Sequence, residues 1–380
     1  MTSEEIAKIV GVSRSTVSRV INNYPDIPAA TREKVLKAIK EYNYYPNASA
    51  RRLAGSKNST LGIFIVDIKD HEEPHHVIQN DEALLYDNTF FAPFTNAFID
   101  QGNKMHYYVL VSTIFSSSGL WKIQSAFYEK RIDAGIVIGS GKEDYKKILK
   151  LMKKEFILAA VDIEIDDFND NKAIYVNTNN YKTAYDIAKY FIELGHRDIG
   201  IVTGDLEKLS GKTRFEGFKQ ALKDHNINLP DNFIGYGDFT EPSGYQAMKN
   251  ILQSPKHPTA VFVCNDTMAI GAYKAIRESN LKIPQDISIV GFDNIKISEY
   301  MSPPLTTVNV SLSEIAKAAT TLLIQSVEKG YLEPVEKIIN AKIIKRESCK
   351  SILPYWILEN VTNFVYEWII KFLLGKNYKQ

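Results

Sequence analysis

Val10–Asn23 reads VGVSRSTVSRVINN, and the spacing within it decides how the head of the chain folds. Val17, Val20 and Ile21 fall at i, i+3 and i+4, which makes one apolar face of a short helix able to pack on a neighbour. Ser15 and Arg19 then lie on the opposite side, and Arg14 sits in the first turn, where a long side chain also reaches outward. Ser13 precedes the helix as an N-cap, its oxygen placed to accept a backbone N–H left free there. Upstream, Ile6, Ile9 and Val10 give SEEIAKIV the stripe of a first helix, and Gly11 supplies the bend between the two. This is helix-turn-helix grammar, in which the first helix braces and the second enters the major groove of DNA. An ordinary αα-hairpin would also have Gly11, but it has no need of three residues suited to reading DNA on one outward face.

Working outward, Val35, Leu36 and Ile39 mark a third helix over Thr31–Tyr42, which Pro46 ends. Asn47–Ala54, NASARRLA, is short, Ala-rich and basic, and reads as a linker with weak helical tendency before Gly55-Ser56. Residues 1–57 hold ten Lys/Arg against five Asp/Glu, a net +5, whereas the rest of the 380-residue chain carries −4. A basic head on a mildly acidic body suits a protein that places one end on nucleic acid. Two cysteines, Cys264 and Cys349, give no disulfide framework and point to a reducing compartment. No signal-peptide pattern opens the chain and no long apolar run crosses a membrane, so the expectation is a cytoplasmic, soluble protein.

The head resembles the N-terminus of the lactose-repressor/galactose-repressor family of bacterial transcription regulators, and the likeness continues through TREKVLKAIKEYNYYPNASARRLAGS. The resemblance implies that Arg14, Ser15 and Arg19 read base edges of a double-stranded operator, arginine being suited to a bidentate contact with guanine. It implies that Ser13, Thr16 and Asn22 hold the phosphate backbone, which fixes register without reading sequence. It also implies that residues 46–57 form a hinge helix that orders on DNA and places Leu53 in the minor groove. Helices this short are unstable alone in water, so folding only on DNA is physically reasonable.

From Leu61 the pattern changes. LGIFIV, MHYYVLV, AGIVIG, FILAAVD, IGIVTG, AVFVCN and ISIVGF are short apolar runs expected as buried parallel strands. Helical stretches such as Ala184–Leu194, Arg214–Leu222 and Met268–Ser279 alternate with them, giving βαβ units with helices on both sheet faces. Ligands in such folds collect at the carboxyl ends of strands. Asp162, Asn265-Asp266 and Asp293 stand at such ends here.

Residues 58–348 are similar to the same family's periplasmic-binding-protein-like core, two doubly wound α/β subdomains around a cleft, with crossovers expected near 176 and 309. The likeness rests on IELGHRDIGIVTG, RFEGFKQAL, PTAVFVCNDTMAIGAYKAI, IPQDISIVGFDN and PPLTTVNV. It implies that Asp162, Arg214, Asn265 and Asp293 contact a small-molecule effector, and that Phe90 or Phe91 supplies an apolar wall. Those polar groups suit the hydroxyls of a sugar. The bland alternative for each is a capping or salt-bridging residue.

Two segments depart from the family. Asp70 to Tyr86 is an insertion whose His71, His75 and His76 fit no standard zinc spacing and read as a polar loop, so no metal is expected. The family usually ends at Arg346-Glu347-Ser348, yet this chain continues through residue 380. There Leu358, Val361, Val365, Trp368 and Phe372 are spaced 3, 4, 3, 4, the seam of a coiled coil, which would join dimers into a tetramer or fold back on the core. Nucleotide and enzyme motifs fail. GSGKED lacks a third glycine, and six residues separate Gly204 from Gly211-Lys212-Thr213, more than a phosphate loop allows. The expectation is a non-enzymatic repressor of sugar-utilisation genes that needs no cofactor, binds operator DNA as a homodimer and is switched by a sugar-like effector. A purine base or a protein corepressor is the alternative effector, and a solute-binding protein the alternative class.

Overall fold

The computed structural model describes residues 1–22, 24–44, 58–66, 89–139, 141–151, 156–163 and 173–354. Leu53, the insertion with its three histidines and the heptad-spaced tail lie outside the described residues.

Three helices make the head: α1 (Ser3–Val10), α2 (Arg14–Ile21) and α3 (Ala29–Glu41). Thr2 caps α1 through a reciprocal pair with Glu5, and Gly11 ends it at φ 74°, a left-handed conformation that glycine adopts without strain. Ile6, Ala7, Val17, Val20, Val35, Ala38 and Tyr44 form the small core. Two expected core residues differ: Ile9 and Leu36 are each 48% exposed. Ile6, Val17 and Val35 are the most buried, and Ala7 and Ala38 complete the core where Ile9 and Leu36 turn outward.

Among the described residues, the body holds two parallel sheets. The six-stranded sheet runs β11-β5-β4-β3-β1-β2, from β1 (Thr60–Val66), β2 (Tyr108–Ile114), β3 (Ala134–Ile138), β4 (Ile157–Val161), β5 (Ile174–Thr178) and β11 (Val335–Ile339). The four-stranded sheet runs β7-β6-β8-β9, from β6 (Ile199–Thr203), β7 (Ile234–Tyr236), β8 (Ala260–Val263) and β9 (Ser288–Val290). Parallel pairing throughout both sheets leaves the central strands β3, β4, β6 and β8 as wholly buried apolar runs, whereas β2, at the edge of the larger sheet and expected from sequence to be buried, is only partly so.

In the first lobe α4 (Phe91–Lys104), α5 (Trp121–Tyr128), α6 (Lys142–Leu151) and α11 (Leu312–Lys329) belong with the larger sheet. The second lobe has α7 (Asn180–Glu193), α8 (Leu209–Asp224), α9 (Glu241–Leu252) and α10 (Asp266–Glu278). The chain leaves the first lobe after β5 and returns through β10 (Thr307–Asn309) into α11, which packs on α4. After β11 it crosses again, β12 (Lys342–Ile344) pairing antiparallel with β10.

β5, β7, β10, β11 and β12 were not among the expected strands. They are three to five residues long, and β11, VEKII, carries two charged residues and is mostly exposed instead of forming one apolar run. The last crossover is fastened by Arg346 and Ser348. Arg346 donates to Ser298 Oγ, Leu305 O and Asn294 Oδ1, while the Ser348 hydroxyl donates to Ile289 O and accepts from Thr306 N. Packing continues past Ser348, with Ile352 N donating to Leu194 O. No helix among the described residues is long and apolar enough to cross a membrane.

Candidate DNA-reading head and effector cleft

α2 presents its polar face to solvent. The Ser13 hydroxyl accepts from Thr16 N at 3.0 Å and lies within hydrogen-bond distance of the Ser15 and Thr16 hydroxyls. Ser13, Arg14 and Ser15 are exposed. Asn22 closes the helix, its Nδ2 donating to Ser18 Oγ. Both arginines have partners outside α2. Arg14 Nε donates to Ser3 Oγ at 3.2 Å, at the start of α1. Arg19 Nη2 is paired with Asp26 Oδ2, and its guanidinium lies 5.4 Å from the centre of the Tyr24 ring. Sequence reasoning identified the outward face but passed over Ser3, Tyr24 and Asp26, which lie in a cap and a loop where periodicity carries no signal.

The second set of residues meets at the carboxyl ends of the strands. Arg214, in the first half of α8, is buried. Its Nε donates to Asn180 Oδ1 at 2.9 Å, its Nη1 to Cys264 O, and its Nη2 lies 3.6 Å from Asp293 Oδ1. The guanidinium carbon sits 3.6 Å from the centre of the Phe292 ring and 6.0 Å from that of Phe239. Asp293 adopts φ 103°, left-handed backbone that aspartate tolerates better than most residues. Its Oδ1 is buried and accepts no hydrogen bond among the described residues. Burial pushes its carboxyl up to about 7, against the pull of Arg214 and with a push from the carboxylate of Asp162.

Asp162 follows β4 at its carboxyl end, in the lobe on the other side of the gap from Asp293. Thr89 and Thr267 hydroxyls meet at 2.7 Å across the same gap. Phe90 and Phe91 open α4 on the first-lobe side. The Phe91 ring lies over Gly139, where a Cβ would come within 2.8 Å of it, and Phe90 packs edge-on against Phe91. The structure thus brings Arg214 and Asp293 into contact and leaves Asp162, Phe90 and Phe91 on the other lobe, beside the Thr89–Thr267 contact that joins the two.

Asn265 behaves differently from the expectation of a free ligand group. Its Oδ1 caps α10 by accepting from Met268 N at 2.9 Å, and its Nδ2 donates to Phe239 O at 3.0 Å. Both ends of the amide are in use. The neighbouring Asp266, fully buried, accepts from Thr307 Oγ1 and Ile295 N, and burial holds its carboxyl well above the usual range. It fastens α10 to the β9–β10 crossover. The glycines resembling a phosphate loop have another reason: a Cβ on Gly211 would come within 1.9 Å of Asp205 O, so the first turn of α8 closes onto the loop before it.

A helix-turn-helix head joined to two parallel α/β lobes around a cleft defines a ligand-responsive DNA-binding regulator. The sequence matches the family described as bacterial regulatory proteins, lacI family, over residues 2–47, and a periplasmic binding protein-like domain over residues 188–349. It is 34% identical to the HTH-type transcriptional repressor PurR of Histophilus somni strain 2336, covering 91% of this chain and 98% of that protein. The same-named repressor of Pasteurella multocida strain Pm70 is 33% identical, covering 92% of this chain and 99% of that protein. Among solved structures, the lac repressor dimer bound to operator and the anti-inducer ONPF aligns with TM-score 0.74 at 25% identity, covering 92% of this chain and 99% of that one. A transcriptional regulator CelR–cellobiose complex aligns with TM-score 0.68, at the same identity and coverage. The chain belongs to the lacI family of bacterial regulatory proteins, and is a DNA-binding transcriptional repressor of that family.

Proposed function

We propose that this repressor holds its operator through α2 and that a small ring compound bound between the lobes, a purine base in the first instance, changes its affinity for DNA. The observation carrying the reading is the buried Arg214–Asp293 pair, with one carboxylate oxygen left without a hydrogen bond. A buried acceptor in that state costs roughly 1–3 kcal/mol, which a ligand N–H or O–H recovers on binding. A carboxyl near neutrality also serves as donor or acceptor, matching the alternating edge of a nucleobase. Phe239, Phe90 and Phe91 supply rings against which a flat ligand stacks. The purine reading replaces the sugar expected from the polar residues, because the relatives matched over nearly their whole length carry the name of a purine-responsive repressor.

A sugar remains the second reading, favoured by the cellobiose complex among the structural neighbours. In either case Arg214, Asp293 and Asp162 contact the effector, Phe90 or Phe91 closes the apolar side, and Asn265 acts by shaping the site. The protein binds a two-fold operator as a homodimer, with Arg14, Ser15 and Arg19 on base edges, Ser13, Thr16 and Asn22 on phosphates, and Leu53 in the minor groove. A thermal-shift screen of nucleobases, nucleosides and sugars tests the effector. A ligand at 100 times its Kd adds about 2.7 kcal/mol of stability. Stabilisation by a purine and not by sugars supports the first reading, and the reverse pattern supports the second.

A further inference from the structure

Asp26 stands where an acid has a cost. The head approaches a polyanion, and each carboxylate near the phosphates weakens binding to every sequence alike. Yet Asp26 is about half exposed beside α2, and its Oδ2 is paired with Arg19 Nη2. Tyr24 underlies the same guanidinium. The loop carrying both is anchored at each side: Tyr24 N donates to Arg19 O at 3.0 Å, and Arg32 of α3 donates to Tyr24 O. Arg19 is therefore gripped by a carboxylate on one side and a ring on another, both on a loop tied to the helices.

An unrestrained arginine on a helix has many rotamers, and the phosphate backbone, which takes half or more of protein–DNA hydrogen bonds, competes with the bases for its guanidinium. A guanidinium has five N–H donors in a fixed plane. The Asp26 carboxylate engages Nη2 and leaves a forked pair of donors for guanine O6 and N7. We propose that Asp26, with Tyr24 as its platform, is a specificity-determining positioning residue. It holds Arg19 in the plane that reads a base edge and keeps it from settling on the backbone. This rests on the reading of Arg19 as a base reader. The predicted signature is a trade: Asp26 lowers affinity for DNA in general and raises discrimination at one base pair per half-site.

The test uses the full-length protein and a randomised pool of double-stranded DNA, sequencing the bound fraction, followed by Kd measurements on selected duplexes over a range of salt. Wild type, Asp26→Asn, Arg19→Ala and the double variant are compared. Asp26→Asn is expected to bind non-selected DNA a few-fold more tightly and to steepen the salt dependence by about one phosphate contact. It is also expected to lose about tenfold of its discrimination at the base pair that Arg19→Ala erases, with other positions unchanged. In the Arg19→Ala background, Asp26→Asn should change affinity without changing base preference. If Arg19→Ala erases a preferred base pair while Asp26→Asn keeps it, the positioning role is overturned and the base-reading assignment stands. If Arg19→Ala weakens all sequences equally, the base-reading assignment itself fails and the proposal falls with it.

Discussion

Two arginines in this molecule are each paired with an aspartate and set over an aromatic ring, and they sit in opposite surroundings. Arg19, with Asp26 and Tyr24, is about half in water. Arg214, with Asp293 and Phe292, is almost wholly out of it. An exposed pair contributes on the order of 0–1 kcal/mol, so Arg19 can give up one partner at little cost, as the proposed base contact requires. A buried pair is different, because removing one partner strands the other's charge. On the proposed reading, the exposed pair gives up a partner to DNA and the buried pair holds the site between the lobes in shape until a ligand binds.

The sharpest break of this comparison is stability. Arg214→Ala should cost about 3–5 kcal/mol in urea unfolding, since Asn180 Oδ1 and the Asp293 carboxylate lose their cation together. Uptake of a proton by Asp293 should keep the loss towards the lower end. Arg19→Ala should leave the unfolding midpoint nearly unchanged. Equal losses for the two variants would show that burial does not separate the pairs.

Acidity sharpens the same point. The Asp293 carboxyl is raised by burial to about 7, so between roughly pH 4 and 7 the folded chain keeps a proton that the unfolded chain has released. Its contribution therefore falls as pH rises through that window, and Asp293→Asn should flatten the decline in stability. Asp266, raised in the same direction, retains part of the slope in that variant. A variant curve parallel to wild type would place the proton elsewhere.

A smaller effect belongs to the head. Arg19→Ala should cost about 1–3 kcal/mol on the best operator and relax preference at one base pair per half-site, read by competition binding. The smallest is across the cleft. Thr267→Val removes the hydroxyl pair with Thr89 and should shift effector affinity by less than about tenfold, as titration calorimetry would measure.

How far the sequence led differs between the two regions for a physical reason. The head follows from periodicity: a 3.6-residue stripe placed Val17 and Val20 inside and Ser15 and Arg19 outside. Its failures, Ile9 and Leu36, are large apolar residues left half exposed beside the buried stripe. In the body, uniform apolar runs identified the central strands, whereas β10 and β12 exist because a crossover pairs segments more than 30 residues apart. The cleft was legible as polar residues at strand ends. Which of them already have partners within the fold was not, because Asn265 and Asp293 look alike in sequence. One is spent on a helix cap and the other keeps an oxygen unbonded. Phe239, Phe292 and Asn180 went unnoticed, since nothing local marks a ring that will lie beneath an arginine from another element.

The most direct test joins the two regions. Operator affinity of the full-length protein should be measured with and without saturating adenine, guanine, hypoxanthine and a panel of sugars, for wild type and Asp293→Asn. At least one purine is predicted to change the operator Kd of the wild type by about 5–150-fold, the usual range of coupling between sites, and to change that of the variant far less. An operator Kd that no cleft ligand alters, or that a purine alters equally in both proteins, would contradict the account.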